Sequence, residues 1–254
     1  MDRMRFYRRH PYLFVAFLEA TFAGTFIVAG ALTKRLGLPL DALYWIGFVI
    51  LTVIGLVLLT RMRWWKEVGF RPLRECHLLW LPALPLIGTL YQFFSGGGEL
   101  ARGTVVLFML VLTALNGFAE EVFYRGLMLR ALVEKGVWRA LLITSLIFAF
   151  THSMNVLTGW SPERVLWQLC YSFAIGFGWA AFALRTGTIW PLILIHFLNN
   201  FFSLSGSGSV IQTGELSTGS RCIMLFYTVA FILYGVLVTR SHVKAKAAAA
   251  ERAS

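Results

Sequence analysis

Eight apolar runs, each about as long as a bilayer requires, dominate the chain and predict an all-α polytopic membrane protein. They are Tyr12–Leu32, Ala42–Thr60, His77–Phe94, Gly103–Val122, Val137–His152, Val165–Leu184, Thr188–Leu204 and Cys222–Thr239, the fourth running on as helix to about Val133. In the sixth, Ala174, Gly176, Gly178 and Ala180 set small residues four apart on two neighbouring lines, which lets helices approach closely. Between the second and third, Arg61 to Glu75 mixes charge with Trp64, Trp65 and Phe70 and reads as an interfacial helix or loop. Tryptophans near run ends (Trp64, Trp65, Trp80, Trp138, Trp160, Trp190) fit an aromatic belt. Ser203 to Ser220, rich in Ser, Gly and Thr, reads as an outer loop, and the basic, alanine-rich tail from Lys244 to Ser254 as frayed.

Composition agrees with the pattern. The 254 residues are 58% hydrophobic and 14% charged, whereas soluble domains carry about 25% charge. A net charge of +11 would suggest nucleic acid in a soluble protein. Here the basic residues lie between apolar spans, so they mark loops facing an anionic leaflet, and no nucleic-acid partner is expected. With the N-terminus inside, 18 of the 23 Lys and Arg fall in inner segments, which places both termini in the cytoplasm, at the plasma membrane if the source is prokaryotic. Arg3, Arg5, Arg8 and Arg9 ahead of an apolar run imitate a signal peptide. Tyr12–Thr33 exceeds an h-region of about 7–15 residues and is read as a retained first span. Cys76, Cys170 and Cys222 are scattered, with no zinc-knuckle or redox spacing.

Candidate chemistry lies where polar residues interrupt the apolar runs. Glu120 and Glu121 follow an uncharged stretch from Val105 to Phe118, and one charge at a bilayer centre costs roughly 2.5–3.5 kcal/mol even on mild insertion scales. Asp2 and Asp41 are the only aspartates and neither is mid-membrane, which excludes a transmembrane aspartyl dyad. H-E-x-x-H is absent, removing the zincin-type motif. G-x-S-x-G is absent too, which weakens a serine nucleophile. Glu121 and Arg125 are four apart with the acid first, the favourable order for an ion pair. Glu120 points about 100° away, on the face of Asn116, and has no such partner. Glu120 lies 16 residues before Gly136 and His152 lies 16 after it, so antiparallel helices turning near Lys135-Gly136 hold both at similar depth. Phe148 shares the face of His152, and His196 and Asn200 are four apart in the seventh run. A free carboxylate, two imidazoles and a carboxamide make an acid–base site with oxyanion donors. A buried ion pair alone accounts for Glu121 and Arg125.

The set Glu120-Glu121-x-x-x-Arg125, Phe148-x-x-x-His152 and His196-x-x-x-Asn200, in this order on successive helices, resembles the CPBP family. Its members are CAAX-type prenyl proteases and bacteriocin-processing intramembrane proteases, also called the Abi family. The resemblance covers roughly Gly103 to Leu204; Tyr124 departs from it, standing where the family usually has phenylalanine. It implies an intramembrane peptidase with an internal cavity, in which Glu120 activates water, His152 holds or polarises it, and His196 and Asn200 donate to the oxyanion. Glu121, Arg125 and Phe148 would support them. The substrate would be a membrane-embedded or lipidated protein or peptide, at the bilayer. Metal-free chemistry is favoured because Asn200 beside His196 suits an oxyanion donor. The alternative is zinc on Glu120, His152 and His196.

Three regions follow: 1–102, with three spans and the interfacial segment; 103–204, the catalytic core; and 205–254, with the outer loop, last span and basic tail. A non-proteolytic scaffold, sensor or transporter that keeps the fold is the second reading. Glu19 in the first span sustains it, since a lone intramembrane acid can serve a proton or substrate path.

Overall fold

The computed structural model of the protein describes residues 5–95, 97–100, 103–207 and 216–252, which form helices and turns with no strand among them. A short α1 (Arg5–Arg9) leads into α2 (Pro11–Arg35), with Pro11 at the first turn where its missing N–H costs nothing. Among the described residues six stretches have the length and apolarity to cross a membrane: α2, α3 (Ala42–Met62), Thr104–Lys135, Val137–Thr158, α8 (Pro162–Thr186) and α10 (Thr218–Glu251).

The other two expected spans fall short of that standard. Cys76–Leu79 is a 3₁₀ turn, and only α4 (Leu84–Ser95), twelve residues long, is α-helical beyond it. At 1.5 Å per residue that is about 18 Å, less than the ~30 Å hydrocarbon core. Pro82 and Pro85 explain the interruption, since each removes a backbone donor. The seventh run becomes α9 (Trp190–Ser207), 18 residues whose apolarity is diluted by His196, Asn199 and Asn200.

α9 packs between α4 and α5 (Thr104–Glu120), and α8 between α7 (Val137–Thr151) and α10. The small-residue lines of α8 serve that packing. A Cβ on Gly178 would lie 2.6 Å from the Phe231 ring of α10, and one on Gly176 would lie 3.2 Å from Phe148 of α7. Gly117 does the same for α5 against α9, where a Cβ would stand 3.0 Å from Ile193 O and Phe197 N.

At one end of the bundle Trp64 packs edge-on to Tyr7 at 4.5 Å, Ile189 N–H donates to Gly69 O at 3.0 Å, and Arg185 pairs with Glu75 at 2.9 Å. Trp64 is 3% exposed. It belongs to the core and not to an interfacial belt, and the chain beyond Met62 is turn and loop rather than an amphipathic helix. At the opposite end lie the α2–α3 turn, a 3₁₀ stretch His152–Thr158, and Phe93 on Phe202 at 5.2 Å.

The tail corrects another expectation: α10 stays helical to Glu251, as the helix propensity of alanine and lysine favours. Of the expected outer loop, 208–215 lies outside the described residues. On its flanks, Ser203–Ser207 completes α9 and Ser217 caps α10 by accepting from Ser220 N–H at 3.1 Å.

Candidate active site

The carboxylate pair sits where the helix changes its winding. α5 ends at Glu120, and Glu121–Met128 is a π-helix in place of the expected α-helix. Leu129 N–H reaches back five residues to Tyr124 O, the bond that defines this wider turn. All eight residues of the segment are buried. Side chains from α2, α7 and α8 surround it, so packing on every side, not local propensity, sets the winding. Helix-wheel angles drawn for an α-helix do not apply beyond Glu121, but the Glu121–Arg125 contact survives the change.

Glu121 is fully buried and Arg125 is 3% exposed. Arg125 Nη1 donates to Glu121 Oε1 at 3.2 Å, and the guanidinium carbon sits 4.0 Å from the Phe148 ring centroid. The same Glu121 oxygen lies 2.8 Å from His196 Nδ1. A carboxylate paired with a guanidinium only accepts, so the bond requires Nδ1–H as donor. This leaves His196 Nε2 facing the cavity, 3.8 Å from Glu120 Oε2. Trp179 holds the imidazole edge-on from α8, ring centroids 5.5 Å apart.

His152 ends α7 and begins the 3₁₀ stretch. Its Nδ1 lies 2.8 Å from Phe148 O. A carbonyl oxygen only accepts, so Nδ1 carries the proton and Nε2 is the free nitrogen. Phe148 also packs edge-on to the imidazole at 4.9 Å. One residue thus seats both the imidazole and the guanidinium, more than the shared face in sequence implies.

Glu120 is 12% exposed, and its side-chain donor is Asn116, whose Nδ2 stands 3.3 Å from Oε1. Asn200 Nδ2 donates in turn to Asn116 Oδ1 at 3.0 Å. A relay of amides thus joins α9 to the carboxylate. Asn116 was legible only as a residue on the face of Glu120; its spacing of four from that acid was the signal for a direct bond.

Glu120, His152, His196 and Asn200, carried by three helices, line one cavity of about 900 Å³ with Asn116 and Phe148. A second, apolar groove of about 510 Å³, lined by Thr52, Leu110, Phe118 and Phe197, contains none of the four. Among the described residues no three His, Cys, Asp or Glu side chains are gathered closely enough to hold a metal, although the Nδ1 bonds of His152 and His196 leave each Nε2 available, the usual setting of a metal-binding imidazole.

Helices long and apolar enough to cross a membrane, packed around a cluster of carboxylate, imidazoles and carboxamides, fit a polytopic helical membrane protein with a polar cavity between its helices. Residues 102–202 match the family model described as type II CAAX prenyl endopeptidase Rce1-like. The matched segment carries the whole cluster, so what the chain is similar to coincides with the cavity-lining residues. Comparisons with curated proteins and with solved structures returned no match.

Proposed function

We propose that the chain is an intramembrane endopeptidase in which Glu120 activates water against a peptide carbonyl. The observation that carries the reading is the unequal treatment of two adjacent acids: Glu121 is taken up by Arg125 and His196, whereas Glu120 opens on the cavity beside both imidazoles. Glu120 removes a proton from water as hydroxide attacks the carbonyl carbon. The C–N bond then breaks, and the proton passes to the leaving amine. His152, with Nε2 free, accepts from the water and aims it. Asn200 keeps one amide N–H beyond its bond to Asn116 and donates it to the oxyanion. His196 Nε2 becomes a second donor once it carries a proton, while Nδ1 stays on Glu121. Arg125 and Phe148 hold these groups in place and touch no substrate.

The substrate class is a protein or peptide held at the bilayer, either lipidated near its C-terminus or carrying an apolar leader, because the reacting groups line a cavity among helices apolar enough to cross a membrane. The test compares membrane proteomes of cells carrying the native chain and Glu120→Gln. The expected result is at least one membrane-associated protein that stays full length only in the variant, with the variant itself inserted and folded. Normal processing in Glu120→Gln cells would remove the proposal.

A further inference from the structure

Glu19 is the only acid of α2, and the chemistry above makes no use of it. Its Oε1 accepts from Thr151 Oγ1 at 2.8 Å and its Oε2 from Tyr124 O–H at 3.1 Å, while the Tyr124 and Thr151 hydroxyls stand 2.7 Å apart. Three side chains from three segments therefore close one ring. The two partners are placed pointedly. Tyr124 lies four residues after Glu120 on the π segment, and Thr151 directly precedes His152. The Tyr124 ring packs edge-on to Phe148 at 5.0 Å, and Phe148 in turn carries His152 and Arg125.

Neither hydroxyl needs Glu19 for its own sake. Thr151 Oγ1 has an intrahelical acceptor in Ile147 O at 3.0 Å, and Tyr124 has Thr151. An apolar side chain at this position would avoid the cost of an acid inside the bilayer. What Glu19 adds is a tie between α2 and the two segments that carry Glu120 and His152. We infer that Glu19 is a positioning residue, a clamp that fixes the separation of Glu120 from His152. The inference rests on the proteolytic reading for its consequence, but the clamp itself is a structural claim and is tested separately.

The experiment uses the full chain in detergent with three variants. Glu19→Leu removes both acceptors, Glu19→Gln keeps the shape with one acceptor and one donor, and Glu19→Leu/Tyr124→Phe removes the ring from both sides. The first readout is the ring-nitrogen NMR signature of histidine-labelled protein, which reports the setting of His152 without any substrate. The second is cleavage of a fluorogenic farnesylated CAAX peptide. Misplacing a reacting group by 1 Å costs on the order of 10²-fold, so Glu19→Leu is expected to lower kcat by roughly 10- to 100-fold at nearly constant KM. It also shifts the His152 signals. Glu19→Gln keeps both close to native, and the double variant is no worse than Glu19→Leu, since one ring is being broken. Melting temperatures identify any variant that has simply lost its fold. Unchanged His152 signals in a folded Glu19→Leu protein overturn the clamp. So does a folded Glu19→Gln protein that keeps native His152 signals yet cleaves as poorly as Glu19→Leu, because that outcome assigns Glu19 to proton transfer. If the native chain leaves the peptide intact, the proteolytic reading takes that failure and the NMR comparison still decides the clamp.

Discussion

His196 Nδ1 lies 2.8 Å from Glu121 Oε1, and its Nε2 lies 3.8 Å from Glu120 Oε2. One imidazole thus touches both members of the acid pair but bonds to only one of them. Glu121 has two jobs in consequence: it neutralises Arg125 and it fixes the tautomer of His196.

This division separates the two acids experimentally. Removing Glu121 leaves Arg125 buried without its anion, and losing one partner of a buried pair costs about 3–5 kcal/mol. Glu121→Ala is therefore expected to melt well below the native protein in detergent and to lose cleavage as well. Glu120→Gln keeps the Asn116 contact within reach and is expected to melt close to native while losing cleavage. Thermal unfolding of the two variants side by side is the measurement, and equal melting temperatures would contradict the division.

The amide relay makes a second prediction. Asn200 holds Asn116, which holds Glu120, and in the proposed mechanism it also donates to the oxyanion. Loss of one oxyanion donor typically costs on the order of 10²–10³ in kcat, and Asn200→Ala is expected to fall in that range. Asn116→Leu lowers kcat too, although Asn116 touches no substrate. Because the two residues share one chain of bonds, the double variant should be milder than the product of the singles, with a coupling of about 0.5–3 kcal/mol. Additive losses would show that the relay carries no weight.

Much of this was legible in residue order, and the exceptions have physical causes. Period and apolarity reveal six spans because those helices are long and weakly interrupted. They mislead at His77–Phe94, where Pro82 and Pro85 shorten the helix inside an otherwise apolar run. Spacing of four identified Glu121–Arg125 and Phe148–His152, which meet directly, and put His196 and Asn200 on one cavity-lining face. It could not reveal the π winding of Glu121–Met128, which packing imposes, nor the bonds from His196 to Glu121 and from Glu19 to Thr151. Those pair residues 75 and 132 positions apart. Glu19 illustrates the limit best: the sequence marks it as costly, and only the packing of α2 identifies its partners.

Metal dependence is open to direct measurement. No ligand trio forms among the described residues. Protein dialysed against a strong chelator and shown by elemental analysis to be metal-depleted is therefore expected to retain its cleavage rate. A loss that stoichiometric zinc restores would return Glu120, His152 and His196 to the role of ligands.

The cavity also makes a prediction about sidedness. Its wall follows α2 from Phe22 to Lys34, twelve residues or about 18 Å at 1.5 Å each, and ends among Leu38, Leu40, Leu157 and Trp160. At the other end of the bundle Trp64 and Val68 are buried, 3% and 4% exposed. That end also carries most of the Lys and Arg, which the positive-inside rule assigns to the cytoplasm. The mouth should then face away from the cytoplasm, and a substrate would enter from that side or from the adjoining leaflet. In a chain with Cys76, Cys170 and Cys222 replaced by serine, Leu157→Cys reports the mouth and Lys66→Cys the opposite end, both positions being exposed. A membrane-impermeant maleimide is expected to label Leu157→Cys in right-side-out vesicles and Lys66→Cys in inside-out vesicles. The reverse pattern would turn the mouth toward the cytoplasm, and would favour proteins lipidated and tethered on that face as the substrates.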